Sequence, residues 1–430
     1  MASYRQPGTV LTDHLFAVPL DHDRPDGDRI EVFAREVAAA DRAGDDLPWL
    51  LFLQGGPGGR APRPAGRDSW LDRALTDYRV LLLDQRGTGR STPATRQTLA
   101  SLGTPEAQAR YLSCFRADSI VRDAELIRPQ LTGGAPWSVL GQSFGGFCTV
   151  TYLSFFPEGL REAFLTGGLP GLDVTPDDVY RTTYPIVADR CRAHYQRYPA
   201  DAERARQVAR LLAAAQVRRP DGGLLTVEAF QSLGMLLGSS TGSHTLHYLL
   251  EDALAGGGHG DELSDAFQYQ AQAQLTFAGG PLYAVLHEQC FAQGAAPRWA
   301  AQRVRAEFPG FDPAAALDGD ADLLFTGEMI YPWMFRTDPV LAPLADAAEL
   351  LAQREDWPPL YDPARLRGNE VPAAAAVYFH DMYVPAGISL ATAGVIRGLS
   401  TWVTSDYEHD GLRVSNGSVL GKLIGMVRDG

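Results

Sequence analysis

Three short runs in this chain are apolar almost throughout, and each stops at a glycine-bearing loop: Trp49-Leu-Leu-Phe-Leu53, Val80-Leu-Leu-Leu83 and Trp137-Ser-Val-Leu140. A strand with one wet face alternates apolar and polar residues. Runs without alternation must be covered on both faces, which is the situation of a parallel sheet sandwiched by helices. Two longer segments upstream, Thr12 to Leu20 and Arg29 to Val37, read as antiparallel strands joined by a turn at Asp23, Asp26 and Gly27. Arg161 to Thr166 supplies a further strand before Gly167-Gly168. Between the second and third apolar runs, Asp118 is placed to cap a helix that carries Ile120, Ala124 and Ile127 on one face.

The texture changes near residue 171. Residues 171–345 carry helical periodicity, as in Ala205-Arg-Gln-Val-Ala-Arg-Leu-Leu-Ala213, with Gly256-Gly-Gly258 expected in an exposed loop. Strand signals return at Ala373 to Phe379 and at Leu399 to Thr404. Strands, a helical block and strands again predict one α/β domain (1–170 and 346–430) interrupted by a helical cap (171–345).

Composition narrows the function by exclusion. With 38 Lys and Arg against 52 Asp and Glu the net charge is −14, and no basic run offsets it, so a nucleic-acid partner is not expected. Cys114, Cys148, Cys191 and Cys290 are far apart and form no CxxC pair, which argues against a disulfide framework or a zinc site and suits a reducing compartment. No stretch reaches the ~20 apolar residues of a membrane span. A cytoplasmic protein without metal or cofactor is the expectation. A nucleotide enzyme is not, since neither a P-loop nor a GxGxxG follows a first strand.

The chemistry concentrates in glycine-rich loops. Gly141-Gln-Ser143-Phe-Gly145 follows the third apolar run and leads into the apolar Gly146-Phe-Cys-Thr-Val-Thr-Tyr-Leu153. A Gly-x-Ser-x-Gly turn between strand and helix presents a serine hydroxyl to solvent, so Ser143 is the candidate nucleophile. A second match, Gly238-Ser-Ser240-Thr-Gly242, follows the helical Phe230 to Leu237 instead of a strand. His244 and His247 lie close to Ser240 in sequence, but neighbours on one helix rarely form a triad, because the base must approach from another element. That segment reads as a cap loop. Gln54-Gly-Gly-Pro-Gly58, after the first run, can bring a backbone N–H against a substrate carbonyl. Phe144 with Gly55 or Gly56 would then form an oxyanion hole. In Asp84-Gln-Arg-Gly-Thr-Gly-Arg-Ser91 the Asp and Arg read as structural, pinning loops beside the site.

In this order and at these separations the three motifs resemble those of the prolyl aminopeptidases (proline iminopeptidases), serine peptidases of the α/β-hydrolase fold. The resemblance continues through Leu286-His-Glu-Gln-Cys290, Gly327-Glu-Met-Ile-Tyr-Pro-Trp333, Asp381-Met-Tyr-Val384 and Glu408-His-Asp-Gly-Leu-Arg413. Many family members have His where this chain has Gln54, a change that leaves a backbone donor intact.

In that fold the catalytic order is Ser, acid, His. Only His409 follows the last strand signal, so it is the expected base. Asp381, at the end of the preceding strand, fits both position and family motif as the acid, ahead of Asp406, Asp410 and Asp338. The resemblance further implies that cap glutamates, here Glu288 and Glu328, hold the cationic N-terminus of a short peptide that begins with proline. Tyr331 and Trp333, with Phe335, either line the ring pocket or pack in the cap core. Two alternatives share the triad residues: an esterase without the amine pocket, and an inactive ligand-binding hydrolase fold.

Overall fold

A computed structural model describes residues 2–67, 69–255, 261–319 and 321–429; the expected Gly256–Gly258 loop lies outside the described residues. The strands are β1 (Ala2–Gln6), β2 (Thr9–Pro19), β3 (Arg29–Ala39), β4 (Trp49–Leu53), β5 (Arg79–Leu83), β6 (Trp137–Gln142), β7 (Leu160–Thr166), β8 (Ala373–Tyr378) and β9 (Leu399–Thr404). They form one sheet in the order β1-β2-β3-β5-β4-β6-β7-β8-β9. β1 to β3 run antiparallel and β3 meets β5 antiparallel; from β5 to β9 every pairing is parallel.

The apolar runs are buried on both faces, as a covered parallel sheet requires. Leu51, Leu53, Leu81, Leu83, Val139 and Ala375 face the helices Ala117–Thr132 and Phe144–Phe155. Leu50, Phe52, Val80, Leu82, Leu140 and Ala374 face Ser69–Ala74 and Ser418–Arg428. The strict alternation between two cores follows from the two-residue period of a strand, and each buried Leu stabilises the fold by roughly 1.5–3 kcal/mol.

Between β7 and β8 the described residues form helices and the loops that join them, with no strand beyond isolated bridges such as Arg218 with Leu224 and Leu254 with Leu263. This layer has its own core, built on the long helix Pro176–Arg197, and it also takes in Leu99, Leu112 and Phe115 from before β6 and Leu351 from after residue 345.

Strand ends shift by up to three residues from expectation, as in β2, and three elements differ further. The helix that carries Ile120, Ala124 and Ile127 begins at Ala117, with Arg116 at the cap position, so Asp118 lies in the first turn and is not the cap. Tertiary contacts set that start: the buried Arg116 guanidinium donates to the carbonyls of Ala292 (2.9 Å) and Pro358 (2.8 Å). Phe230 to Leu237 is not one helix; an α-turn Val227–Gln231 gives way to a 3₁₀ segment, Ser232–Gly238. β1 was not expected because its side chains are nearly all exposed, and main-chain pairing with β2 defines it.

The order β5-β4-β6-β7 contains a switch point. The chain leaves β4 toward β5 and leaves β6 toward β7, in opposite directions, so the loops after β4 and β6 part and open a crevice at the carboxyl ends of the strands. Those two loops carry Gly55-Gly56 and Ser143.

Candidate active site

β6 is buried along its whole length and ends at Ser143, from which the helix Phe144–Phe155 departs at once. This abrupt reversal puts Ser143 at φ 56° and ψ −127°, a conformation that costs a non-glycine residue about 1–3 kcal/mol and persists only where its surroundings enforce it. Packing does so here. A Cβ on Gly145 would lie 1.9 Å from the carbonyl oxygen of Leu53, so only glycine lets the helix start this close to β4.

The loop after β4 runs against Ser143. A Cβ on Gly55 would stand 2.9 Å from the Ser143 Cβ. The amides of Gly55, Gly56 and Phe144 find no acceptor among the described residues, and the first amides of a helix have none within it. Unpaired N–H groups beside a serine hydroxyl favour negative charge there. The loop is held from behind: Gln85 Nε2 donates to the Gln54 carbonyl (2.9 Å), and the buried Asp84 accepts from Ala61 N (3.1 Å), Arg90 N (2.7 Å) and Arg63. Arg86 donates to both oxygens of Asp123 (2.7 and 2.6 Å) and to the carbonyls of Pro19, Leu20 and Cys114, which ties the end of β2 to the helix Ala117–Thr132.

Asp381 and His409 approach from the far strands. Asp381, in the turn after β8, accepts from the amides of Tyr383 (2.8 Å) and Val384 (3.0 Å) through Oδ1, while its Oδ2 lies 2.6 Å from His409 Nδ1. The Nδ1 proton therefore belongs to this bond, and Nε2 is left with its lone pair. Burial alone would lower the His409 pKa, but the charge and hydrogen bond of Asp381 outweigh it and hold the imidazole above its ordinary value. Among the described residues Ser143 Oγ has no hydrogen-bond partner, so no Ser–His bond is formed in this state. The two are nevertheless neighbours: the Gln142 side-chain amide is 3.5 Å from His409 Nε2, and a Cβ on Gly167 would lie 3.2 Å from His409 Nδ1 while one on Gly168 would lie 2.4 Å from the Ser143 carbonyl. Of the rival acids, Asp410 is engaged by Ser240, Asp338 by Arg219, and Asp406 is exposed.

Ser143 opens into a small pocket of about 10 Å³, whose walls include Phe144, Phe147, Phe291 and Tyr383 together with His287, Cys290 and Glu328. Glu328 is half-buried and accepts from the Tyr283 hydroxyl (2.5 Å); no cation pairs with it among the described residues. Burial, and next the Glu328 charge, push the Tyr283 phenol well up, so it remains a donor. The buried His287 has its pKa lowered by burial and is neutral at pH 7. The pocket therefore offers a carboxylate in an aromatic box beside the serine, which suits a compact organic cation.

Glu288 is not at that pocket. Its two oxygens accept from the amides of Ala300 and Ala301, each at 2.9 Å, and so cap the helix Ala300–Arg305. Burial pushes its pKa up to about 7 against the pull of those amides. Tyr331 is fully buried in the cap core, its hydroxyl 2.8 Å from that of Tyr184, while Trp333 lines a separate cleft. Sequence reasoning passed over Phe147, His287, Cys290 and Tyr383 as pocket residues. Phe147 stands one helical turn after Ser143, and the other three lie inside motifs already quoted for the family resemblance.

The second Gly-x-Ser-x-Gly segment has a structural task. Ser240 Oγ donates to Asp410 (2.8 Å), the Gly238 carbonyl accepts from His409 N (3.2 Å), and Arg190 pairs with Glu408. Three consecutive residues of the histidine loop are thereby tied to the helical layer. His244 meets Tyr198 and His247 meets Asp201, so neither serves Ser240.

Among the described residues no cluster of three His, Cys, Asp or Glu is placed to hold a metal, and no helix is long and apolar enough to cross a membrane. The capping geometry of Glu288 leads to a specific expectation. Glu288→Gln keeps one acceptor but turns an NH₂ group toward the second amide, which should lower stability by about 1–3 kcal/mol. Because the folded-state pKa lies above the ordinary glutamate value, the parent's stability should decline as pH rises from about 4.5 toward about 7, and the variant should lack that slope. Thermal melts of parent and variant across this range check both points.

The α/β hydrolase fold family matches residues 48–222. The proline iminopeptidase of Aeromonas sobria is 52% identical over 427 residues, which covers 99% of this chain and 98% of that protein. A proline iminopeptidase of Aspergillus aculeatus is 36% identical over 441 residues, covering 99% of this chain and 96% of its own.

Proposed function

The chain belongs to the proline iminopeptidases of the α/β-hydrolase fold, and from that membership we propose that it is a serine exopeptidase that releases N-terminal proline from short peptides. The observation that carries the reading is the meeting, in one small aromatic pocket, of Ser143 and the unpaired carboxylate Glu328. A nucleophile alone serves an esterase equally well; a carboxylate within reach of the acyl group selects a substrate with a free, cationic amine.

The mechanism follows from the atoms. The proline ring enters among Phe147, Phe291 and Tyr383, which shift to admit it, and its ammonium pairs with Glu328. His409 Nε2 takes the Ser143 proton as Oγ attacks the scissile carbonyl. Phe144 N–H, with Gly55 or Gly56 N–H, holds the oxyanion. Asp381 fixes the ring orientation and offsets the imidazolium charge. His409 then protonates the departing amine, and water hydrolyses the prolyl-enzyme by the same route.

Two experiments bear on this directly. A fluorophosphonate probe should label the parent protein once, at Ser143; absence of labelling would favour an inactive binding protein. The pH profile supplies the second. Only neutral His409 can accept the serine proton, so kcat/KM should fall as pH drops through a pKa above the ordinary imidazole value of about 6.5. Asp381→Asn removes the two largest contributions that oppose burial and leaves only the weaker pull of the Glu328 charge, so the acid limb should move to lower pH while the plateau falls by about 10⁴. An acid limb that stays in place would remove Asp381 from this role.

A further inference from the structure

Beside the Ser143 pocket lies a far larger cleft of about 540 Å³. The two share Gly56 and Pro57, and Glu328 stands in the wall between them. Gly327 lines the cleft, Glu328 lines the pocket, and Tyr283 lines the cleft while donating to Glu328. The cleft is mostly apolar, with Leu275, Phe277, Ile330 and Trp333 among its walls. Its buried ion pair, Arg219 with Asp338 at 3.0 Å, is self-neutralising, whereas Arg60 at the margin is exposed and has no partner among the described residues.

Size and connectivity say what each space can take. The Ser143 pocket, at about 10 Å³, has room for little more than a water as it stands, so its rings must part for the acyl residue alone and the rest of a peptide must leave by another path. The scissile nitrogen is one bond from the carbonyl carbon held at the Gly55-Gly56 loop, and that loop is where the cleft begins. We propose that the cleft is the leaving-side subsite: it receives an apolar or aromatic second residue, and Arg60 faces the terminal carboxylate of a di- or tripeptide. The proposal rests on the prolyl aminopeptidase reading and adds the substrate class to it. An apolar side chain that enters such a cleft should raise kcat/KM roughly tenfold or more over glycine at the same position.

Gly279 offers a clean test. It lines the cleft, and a Cβ added there meets nothing within 4 Å. Gly279→Trp therefore adds bulk at the cleft wall without a clash at its Cβ, and Gly279→Ala is its control. In the parent, kcat/KM for Pro-Phe should exceed that for Pro-Gly by about tenfold. Gly279→Trp should erase that preference while leaving Pro-Gly and prolinamide within about twofold. Arg60→Gln should slow Pro-Phe several-fold and spare its C-terminal amide. Equal losses on Pro-Phe, Pro-Gly and prolinamide would overturn the assignment, as would a parent with no second-residue preference. So would a loss that follows the bulk of the first residue, hydroxyproline against proline, since that places the cleft on the acyl side. A parent that releases proline from none of these substrates would instead defeat the aminopeptidase reading itself.

Discussion

Ser143→Ala is expected to reduce kcat on a prolyl arylamide by about a millionfold, because the nucleophile and its base act as one unit and the remainder comes from binding and the oxyanion donors alone. The substitution keeps a Cβ at a position of positive φ, so the backbone strain is the same in both proteins and Tm should stay within about a degree. Fluorophosphonate labelling should disappear with activity. A variant that keeps more than about one-hundredth of the parent rate would transfer the chemistry to another group and dismantle the mechanism.

Glu328→Gln should cost about a hundredfold in kcat/KM on prolyl arylamides. The half-buried carboxylate already accepts from Tyr283 and, on this account, pairs with the substrate's ammonium. Removing one partner of a charge-assisted contact costs about 2–4 kcal/mol where the other charge is left desolvated. The same variant should hydrolyse a small neutral ester within about threefold of the parent, since the ester presents no cation. The contrast with Glu288→Gln is informative: two glutamates in similar apolar sequence settings are expected to separate, one altering specificity and the other altering stability. Equal losses on amide and ester would remove Glu328 from amine recognition.

Much of the core was legible because its rules are local. Runs apolar at nearly every position announce strands covered on both faces, and a Gly-x-Ser-x-Gly after such a run announces a strained turn. The edge strand β1 carried no such signal, since it exists through main-chain pairing while its side chains face water. The start of the helix after Phe115 was set by a buried arginine that reaches carbonyls some 176 and 242 residues away, which no window around Asp118 contains. Glu288 and Glu328 show the same boundary within the site. Both sit among apolar residues in motifs of the family, yet one faces a helix terminus and the other the serine. That difference is made by how the helical layer folds over the crevice, and local composition does not encode it. The second serine motif taught the reverse lesson. Its lack of a preceding strand was enough to set it aside as a nucleophile, but its bonds to the His409 loop came only with the tertiary contacts.

The most direct test of the central claim is a single panel of arylamides given to the unmodified enzyme: Pro, Ala, Leu and N-acetyl-Pro, each at the same concentration below saturation. The account predicts fast release from Pro, slower release from Ala and Leu, and no measurable release from N-acetyl-Pro, whose amide has no charge for Glu328 to hold. Cleavage of N-acetyl-Pro at a rate near that of Pro would contradict it, because the carboxylate beside Ser143 would then not be reading a free N-terminus.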